Sequence, residues 1–238
     1  MINFLKISNN IRSGDYLHSN GNIDNNSSPD IIGLCVIPSN FLPDGLARFM
    51  SLRIIFNCWD RKIQINNNYK IKVPGKHIKE LFWGYYNKQD SNYSLISPYL
   101  SNGQFNSDFL IDLPQGNVFQ DYKGYENTRL YREKYGDSKY LDNAFSSCFR
   151  ISPLYRNSDW YLPSIGELAL LYEKRVLIDE KIDSARFAGS PGVTLFGNGY
   201  WSSSECGPDY AFSANMYDDS VDFSNKYDAS YVRPFLTL

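Results

Sequence analysis

Histidine is scarce in this chain of 238 residues, which contains only His18 and His77. The two lie far apart in the sequence, and we expect each of them at the surface. A Ser-His-Asp triad would need one of them beside a serine that lies in a pocket. The G-x-S-x-G motif of a nucleophile elbow is absent from the sequence. No H-E-x-x-H motif or Cys/His cluster offers a transition-metal site. The sequence therefore predicts no catalytic residue, no metal site and no cofactor.

Cysteine is also sparse, and its four copies show no C-x-x-C spacing. Cys35 lies in an apolar run, and Cys148 lies on the apolar stripe of a predicted helix. The segment from Met1 to Asn10 lacks the basic and apolar regions of a secretory signal, so we do not expect export to an oxidising compartment. We predict buried free thiols rather than disulfides. The four positions are Cys35, Cys58, Cys148 and Cys206.

Long runs of one kind of residue are missing as well. The formal charge is −2, and no block of lysine and arginine stands out. A chain without such a block lacks the phosphate-neutralising surface that nucleic acids require. The longest apolar runs, such as Ile31 to Ile37, are far too short to span a bilayer. We expect neither nucleic acid nor membrane as a partner.

Aromatic residues, in contrast, make up 16% of the chain, with 19 Tyr and 15 Phe. Turn formers at Ser19 to Asn22 predict a β-hairpin, and the apolar run that follows predicts a buried strand. Residues 47–56 suit either a strand or a short helix. We predict an N-terminal arm or hairpin over residues 1–30 and a single domain over 31–238. A loop-rich insertion is expected at about residues 60–120, with short strands near residues 63–66 and 69–73.

Two helices are predicted in the second half of the chain. Leu141, Ala144, Phe145 and Cys148 fall on one face of a helix over residues 138–149. Residues 164–167 form a capping box, in which a Ser and a Glu satisfy each other's backbone amides at the start of a second helix. This helix should end near residues 174–175. Four strands are expected after it, over residues 200–204, 210–216, 221–223 and 231–235. Helices followed by antiparallel strands predict an α+β fold.

Three segments of the C-terminal half resemble a known family. They are DWYLPSIGEL at residues 159–168, YWSSSE at 200–205 and VRPF at 232–235. In this order they resemble the C-terminal domain of a collagen-like bacterial adhesin, a domain that recurs in surface proteins of gut bacteria. A Gly-x-x-Asn-Thr element at 124–128 looks like the one that precedes the first helix in relatives. The resemblance covers residues 123–238 well and 12–55 loosely.

The resemblance implies a C-type-lectin-like fold, with two helices packed on a small twisted antiparallel sheet and long ordered loops. Relatives in this branch include formylglycine-generating enzymes and retroelement-diversified receptor-binding proteins. Those enzymes use a cysteine pair to bind copper, whereas Cys206 stands alone in the tail here. We interpret five motif residues as scaffold, with Trp160 and Trp201 in one core and Arg233 holding Glu167 or Glu205. The five are Trp160, Ser164, Glu167, Trp201 and Arg233.

The loops of the tail carry tyrosine, acidic and amide side chains. Such residues suit adaptable polar contact with aromatic anchors. Their acids match no calcium loop, so we interpret them as solvated. In the hypervariable relatives the corresponding loops contact ligand. By this analogy we predict ligand-binding residues at Asp209, Tyr210, Tyr217, Asp218, Asp219, Asn225 and Tyr227.

These features predict a binding or display protein rather than an enzyme. A surface-binding family combined with the missing secretory signal favours a bacteriophage virion protein, such as a capsid decoration, fibre or receptor-binding component. Its partners would be other virion or surface proteins, or a host surface glycan or protein, and we expect a homo-oligomer. The alternative is a bacterial surface adhesin or glycan-binding protein. A more remote alternative is an oxidoreductase of the formylglycine-generating kind.

Overall fold

The computed structural model describes residues 11–52 and most of the second half of the chain, up to its last residue. All structural statements below concern these residues. The predicted insertion at about 60–120, with its short strands, lies almost wholly outside them. The described residues are 11–52, 57–58, 78–79, 119, 121–135, 143–150, 160–190, 192–195, 199–205, 210–218, 220–226, 228 and 230–238.

A five-stranded antiparallel sheet joins the beginning of the chain to its end. Its strands, in the order β10-β4-β3-β1-β2, place the last strand beside β4. The predicted hairpin is confirmed, because β1 pairs with β2, and β1 also pairs with β3 in the same sheet. Residues 48–51 are a strand, which resolves the choice left open by the sequence. The strands are β1 (Tyr16–His18), β2 (Ile23–Asp24), β3 (Ile31–Ile37), β4 (Arg48–Ser51) and β10 (Phe235–Thr237).

A second antiparallel sheet is built from β7 (Gly199–Glu205), β8 (Tyr210–Asn215) and β9 (Val221–Asn225). These three strands were predicted. The fourth was predicted too early, at 231–235, because Pro234 has no amide hydrogen to donate to a ladder and the strand begins after it. Two short strands, β5 (Asn57–Cys58) and β6 (Ile78–Lys79), pair separately.

Four helices are described where two were predicted. They are α1 (Gly124–Tyr135), α2 (Ala144–Arg150), α3 (Ile165–Glu173) and α4 (Arg175–Phe187). The capping box at the start of α3 is confirmed. The predicted end of that helix is only a break at Lys174, after which α4 continues. The Gly-x-x-Asn-Thr element lies within α1 rather than before the first helix.

The apolar core consists of three clusters of buried side chains. The largest lies between the five-stranded sheet, α3, α4 and β8, and includes Met50, Leu168 and Phe212. Another covers the opposite face of the five-stranded sheet and contains Trp160. The third, with Trp201, lies between β7, α1 and α2. The two tryptophans therefore belong to different clusters, and the expectation of one shared core was wrong.

Both faces of β3 are buried, which explains its uninterrupted apolar sequence. Leu34 and Val36 face the helices, whereas Cys35 faces the Trp160 cluster. A strand covered on both sides shows a continuous apolar run instead of alternation. Cys35 and Cys148 are buried free thiols, as predicted. Burial raises the pKa of Cys35 to about 12, so its thiol stays protonated near neutral pH.

Glu167 collects the donors of several segments at one buried carboxylate. Its Oε1 accepts hydrogen bonds from Arg48 Nε and from the Tyr161 hydroxyl, both at 2.9 Å. Its Oε2 accepts the backbone N–H of Ser164 at 2.8 Å, which is the capping-box bond. Burial raises the pKa of Glu167, and the Arg48 charge opposes that rise. This carboxylate connects the start of α3 to β4 of the five-stranded sheet.

Arg233 does not hold a carboxylate, contrary to our prediction. Its guanidinium donates to the backbone carbonyls of Leu52 at 3.1 Å and Val193 at 2.7 Å, with further bonds to Ser51 and Thr194. Glu167 is already bound by Arg48, and this fully buried arginine instead binds backbone carbonyls at the end of β4 and in the segment before β7. It thereby ties the last strand to the segment that precedes β7.

His18 was predicted at the surface, but the structure buries it. Its ring lies between the carboxylates of Asp24 and Asp30. The β1–β2 turn brings Asp24 to the ring and the β2–β3 connection brings Asp30, so the polar side chain is satisfied although it is covered. His77 lies outside the described residues.

Glu167→Gln should lower the free energy of unfolding by about 3 kcal/mol, because one acceptor oxygen becomes a donor that faces other buried donors. Urea unfolding measures the loss. The matched control is Glu133→Gln, since Glu133 pairs with Arg129 on an exposed face of α1. That change should cost less than about 0.5 kcal/mol. Equal effects of the two variants would contradict the role given to Glu167.

Gly124→Ala should destabilise the protein by about 1–3 kcal/mol, because a Cβ there would lie 2.3 Å from Glu167 Oε2 and 2.7 Å from the Ser164 nitrogen. Alanine at an open helical position would instead stabilise it. Gly199→Ala is the control, since its nearest neighbour, the Ser230 hydroxyl, lies at 3.6 Å. Thermal unfolding of both variants distinguishes the two cases. A Gly124 variant as stable as the parent would refute the close approach of α1 to Glu167.

Candidate binding surface

The candidate surface is the β8–β9 hairpin, which follows β7 in the three-stranded sheet. Phe212 of β8 lies opposite Phe223 of β9, and Tyr210 lies opposite Asn225. Phe212 and Ala214 face the main core, while Ala211 on the other face joins the Trp201 cluster. β8 is thus packed on both sides, and β9 forms the outer edge among the described strands of this sheet.

A hydrogen-bonded turn presents Tyr217 and Asp218 at the tip of the hairpin. The backbone N–H of Tyr217 donates to Asn215 Oδ1 at 2.9 Å. Asp218 Oδ1 accepts the Ser220 hydroxyl at 2.8 Å and the Ser220 N–H at 3.2 Å. These bonds lower the pKa of Asp218, so it carries its charge at neutral pH. Tyr217 itself is 71% exposed.

The open end of the hairpin carries a second group of residues. The rings of Tyr210 and Phe223 meet edge to face, with centroids 6.0 Å apart. Asn225 begins another turn, in which its N–H donates to Asp228 Oδ2 at 3.1 Å and its carbonyl accepts the Asp228 N–H at 2.7 Å. Tyr210 and Asn225 are each half-buried.

The predicted ligand-binding residues therefore fall into two groups rather than one cluster. Tyr217 and Asp218 lie at the tip, whereas Tyr210 and Asn225 lie at the other end of the paired strands. Strands rise about 3.3 Å per residue, so roughly 17 Å or more separates the two groups. Asp209, Asp219 and Tyr227 lie outside the described residues.

Phe223 was missed by the sequence argument. Its side chain is 41% exposed and lies on β9 between the two groups. The sequence argument considered only the tyrosine, acidic and amide residues of the loops, so a phenylalanine within a strand was not included. A strand at the edge of a sheet leaves part of its core-facing side chains uncovered, and the short, polar sequence of residues 221–225 was the available signal.

A buried ion pair holds the base of the hairpin in place. Lys226 Nζ lies 2.5 Å from Glu205 Oε1, and both side chains are buried. The hydroxyl groups of Ser213 on β8 and Ser224 on β9 form a hydrogen bond of 3.3 Å. The pair links the end of β7 to the residue after β9, so the hairpin is fixed at its base while its tip remains exposed.

The described residues also bear on other kinds of site. Among them, no group of three or more His, Cys, Asp or Glu side chains could hold a metal ion. No helix in this part of the chain has the length and apolarity needed to cross a membrane. The five predicted scaffold residues are all buried: Trp160, Ser164, Glu167, Trp201 and Arg233. Cys206 lies outside the described residues.

Tyr217→Ala should change the free energy of unfolding by less than about 0.5 kcal/mol, because the exposed ring contributes little packing. Phe212→Ala, at the middle of the same strand pair, should cost about 3–5 kcal/mol, because it empties a core position. Chemical denaturation of both variants checks the contrast. A large loss for Tyr217→Ala would show that the ring supports the fold and is not free for contact.

The C-terminal half of the chain is similar to a known family of domains. Residues 123–235 match the family model of the Lcl C-terminal domain. The match spans all three motif segments and supports the resemblance to the adhesin C-terminal family. The wider relationships to C-type lectins and formylglycine-generating enzymes stay predictions. No match was found among curated proteins.

A solved structure supports the α+β architecture over nearly the whole chain. The chain is similar to a fimbrial protein from Bacteroides ovatus, with a TM-score of 0.59 and 16% sequence identity. The similarity covers 95% of this chain and 49% of the fimbrial protein, so the chain spans about half the length of that relative. At this identity the similarity shows the fold. The C-terminal half of the chain is thus similar to the Lcl C-terminal domain, within a fold shared with part of a fimbrial protein.

Proposed function

We propose that the protein is a bacterial surface protein of the adhesin type and that it contacts its partner through the β8–β9 hairpin. The observation that carries this proposal is the pair of exposed aromatic side chains, Tyr217 and Phe223, on a hairpin whose base is buried. The match to the Lcl C-terminal domain and the fimbrial neighbour support the surface location.

Physical chemistry favours contact at this hairpin. An aromatic ring offers a large contact area and loses little side-chain entropy when it is immobilised. The ordered turn at Asp218 and the buried Lys226–Glu205 pair hold the backbone before a partner arrives, which lowers the cost of ordering it on binding. Exposed aromatic residues on a preordered element are therefore suited to recognition.

The polar groups beside the rings narrow the class of partner. Asp218 offers an ionised carboxylate, and Asn225 offers amide groups next to the Tyr210 ring. Hydroxyl-rich or peptide surfaces match such acceptors and donors, so an extracellular glycan or protein is the proposed partner. A C-type-lectin-like arrangement and a homo-oligomer also belong to this proposal.

The comparisons support the surface-adhesin alternative better than the predicted virion role. It depended on the absence of a secretory signal at residues 1–10. Because the chain spans only about half of its fimbrial neighbour, its first residue carries no conclusion about export. Neither comparison names a virion protein. The surface-adhesin alternative is therefore the function we propose.

Tyr217→Ala and Phe223→Ala should each weaken partner binding about tenfold or more, because an aromatic anchor at the centre of a contact is worth at least about 1.4 kcal/mol. A printed glycan array and immobilised cell-surface protein fractions serve as probes, and biolayer interferometry on the best probe measures the affinity. Antibody labelling of intact cells of the source organism tests the location.

Phe187→Ala is the matched control, because Phe187 is a ring at the end of α4 with 94% of its side chain exposed. It should bind like the parent protein. Equal affinity of the parent and both hairpin variants would contradict the assignment of the contact surface. Labelling that appears only after cell lysis would contradict the surface location.

A further inference from the structure

His18 occupies an unusual position at the end of β1, where both of its ring nitrogens meet carboxylates. Nδ1 lies 3.0 Å from Asp30 Oδ1, and Nε2 lies 3.1 Å from Asp24 Oδ1. The histidine side chain is buried, while the two acids are about half exposed. The Ser28 hydroxyl is 3.1 Å from Nδ1 and donates to Asp30.

This arrangement favours the doubly protonated form of the ring. A neutral imidazole has one donor nitrogen and one acceptor nitrogen, and only the imidazolium can donate from both. An ionised carboxylate accepts hydrogen bonds but cannot donate them. With a carboxylate at each nitrogen, the neutral ring would turn a lone pair towards one of them. A neutral Nδ1 could accept the Ser28 hydroxyl, but it would still turn its lone pair towards Asp30, so the doubly protonated ring is the form that satisfies both carboxylates.

We propose that His18, Asp24 and Asp30 form a proton-dependent clasp that holds the β1–β2 hairpin against the connection to β3. The clasp joins three consecutive segments: β1 through His18, the end of β2 through Asp24, and the β2–β3 connection through Asp30, the residue before β3. Two backbone bonds accompany it, from Ser19 N–H to the Asp30 carbonyl and from His18 N–H to the Asn22 carbonyl, both at 2.9 Å.

The position of the clasp gives it a structural consequence. β2 is the outer strand of the five-stranded sheet, and it is only two residues long. Leu17 and Ile23 of this hairpin pack against the Trp160 cluster. Because so short a strand has few backbone bonds of its own, release of the clasp would loosen the hairpin and uncover apolar side chains at one edge of the sheet.

The direction of the pH dependence follows from the pKa shifts. Burial lowers the pKa of His18, but hydrogen bonds and charge from Asp30 and Asp24 outweigh it, and the pKa is raised above 6.5. A group with a raised folded pKa stabilises the protein at low pH and loses that contribution as pH rises through the folded value. The clasp therefore opens on the alkaline side.

Asp24 and Asp30 set the lower limit of the pH range in which the clasp is closed. The backbone N–H of Asn26 and the His18 ring lower the pKa of Asp24, and the Ser28 hydroxyl and His18 lower that of Asp30, both below 3.8. A lowered folded pKa gives stability above the unfolded value, which is lost as pH falls through the folded value. Asp24 and Asp30 are thus two ionised groups that lie against His18. The clasp is closed between the lowered pKa values of the acids and the raised pKa of the histidine.

Proton NMR of the histidine ring hydrogens tests the clasp directly. The chain has only two histidines, so a His77→Gln variant assigns the His18 signals. We expect His18 to titrate with a midpoint above 6.5. Asp24→Asn and Asp30→Asn should each lower that midpoint, whereas Asp183→Asn, which removes an exposed acid on α4, should leave it unchanged.

Amide hydrogen exchange reports the opening itself. After correction for intrinsic rates, protection of the β1–β2 amides should fall about tenfold for each unit by which the His18 pKa is raised, between pH 6 and 9. Amides of β8 provide the reference. His18→Gln keeps neutral hydrogen bonds and should fold, but its hairpin protection should no longer change with pH.

Two results would overturn the proposal. A His18 midpoint at or below 6.5 would show that the ring is neutral between the acids. Hairpin amides that follow the β8 amides across the same pH range, in the parent protein, would show that the ring titrates without opening the hairpin.

Discussion

The buried carboxylate of Glu167 is the constraint on which the described structure depends. It lies 119 positions from Arg48 in the sequence, and its hydrogen bonds bring the start of α3 against β4. Gly124 allows α1 to pass beside the same carboxylate, because any side chain there would collide with it. A buried acid that accepts from several donors cannot be moved without leaving those donors unsatisfied. The arrangement of helices around the five-stranded sheet is therefore specified by polar contacts as well as by apolar packing.

The β8–β9 hairpin lies apart from this carboxylate and is exposed at its tip. The β8–β9 hairpin is packed on both faces of β8 and pinned at its base by Lys226 and Glu205, yet its tip carries the exposed Tyr217. The binding surface on which the proposed adhesin role depends is consequently a property of the fold and not of a flexible tail. The clasp at His18 lies in the five-stranded sheet, near the start of the described residues. Refutation of the clasp would leave the proposal for the β8–β9 hairpin unaffected.

Local features of the sequence predicted local features of the structure. The capping box, the β1–β2 turn and the continuous apolar strand β3 each depend on neighbours within a few residues. α1 was missed because Asn127 and Thr128 are among its buried residues, and polar residues do not enter an apolar pattern. The partners of Arg233 are backbone carbonyls, which every residue possesses, so no sequence signal could identify them. Four of the predicted ligand-binding residues lie on or beside the β8–β9 hairpin, where they divide into two groups, and Phe223 was overlooked because the edge position of β9 depends on sheet order.

A double-mutant cycle on Arg48 and Glu167 tests the central claim most directly. The single variants Arg48→Met and Glu167→Gln and their combination are unfolded in urea, and the coupling energy is taken from the four stabilities. The account predicts that the double variant is less destabilised than the sum of the single variants by at least about 1 kcal/mol, because each single change leaves a buried partner unsatisfied. Strictly additive losses would show that the two side chains act independently and that this carboxylate does not organise the fold.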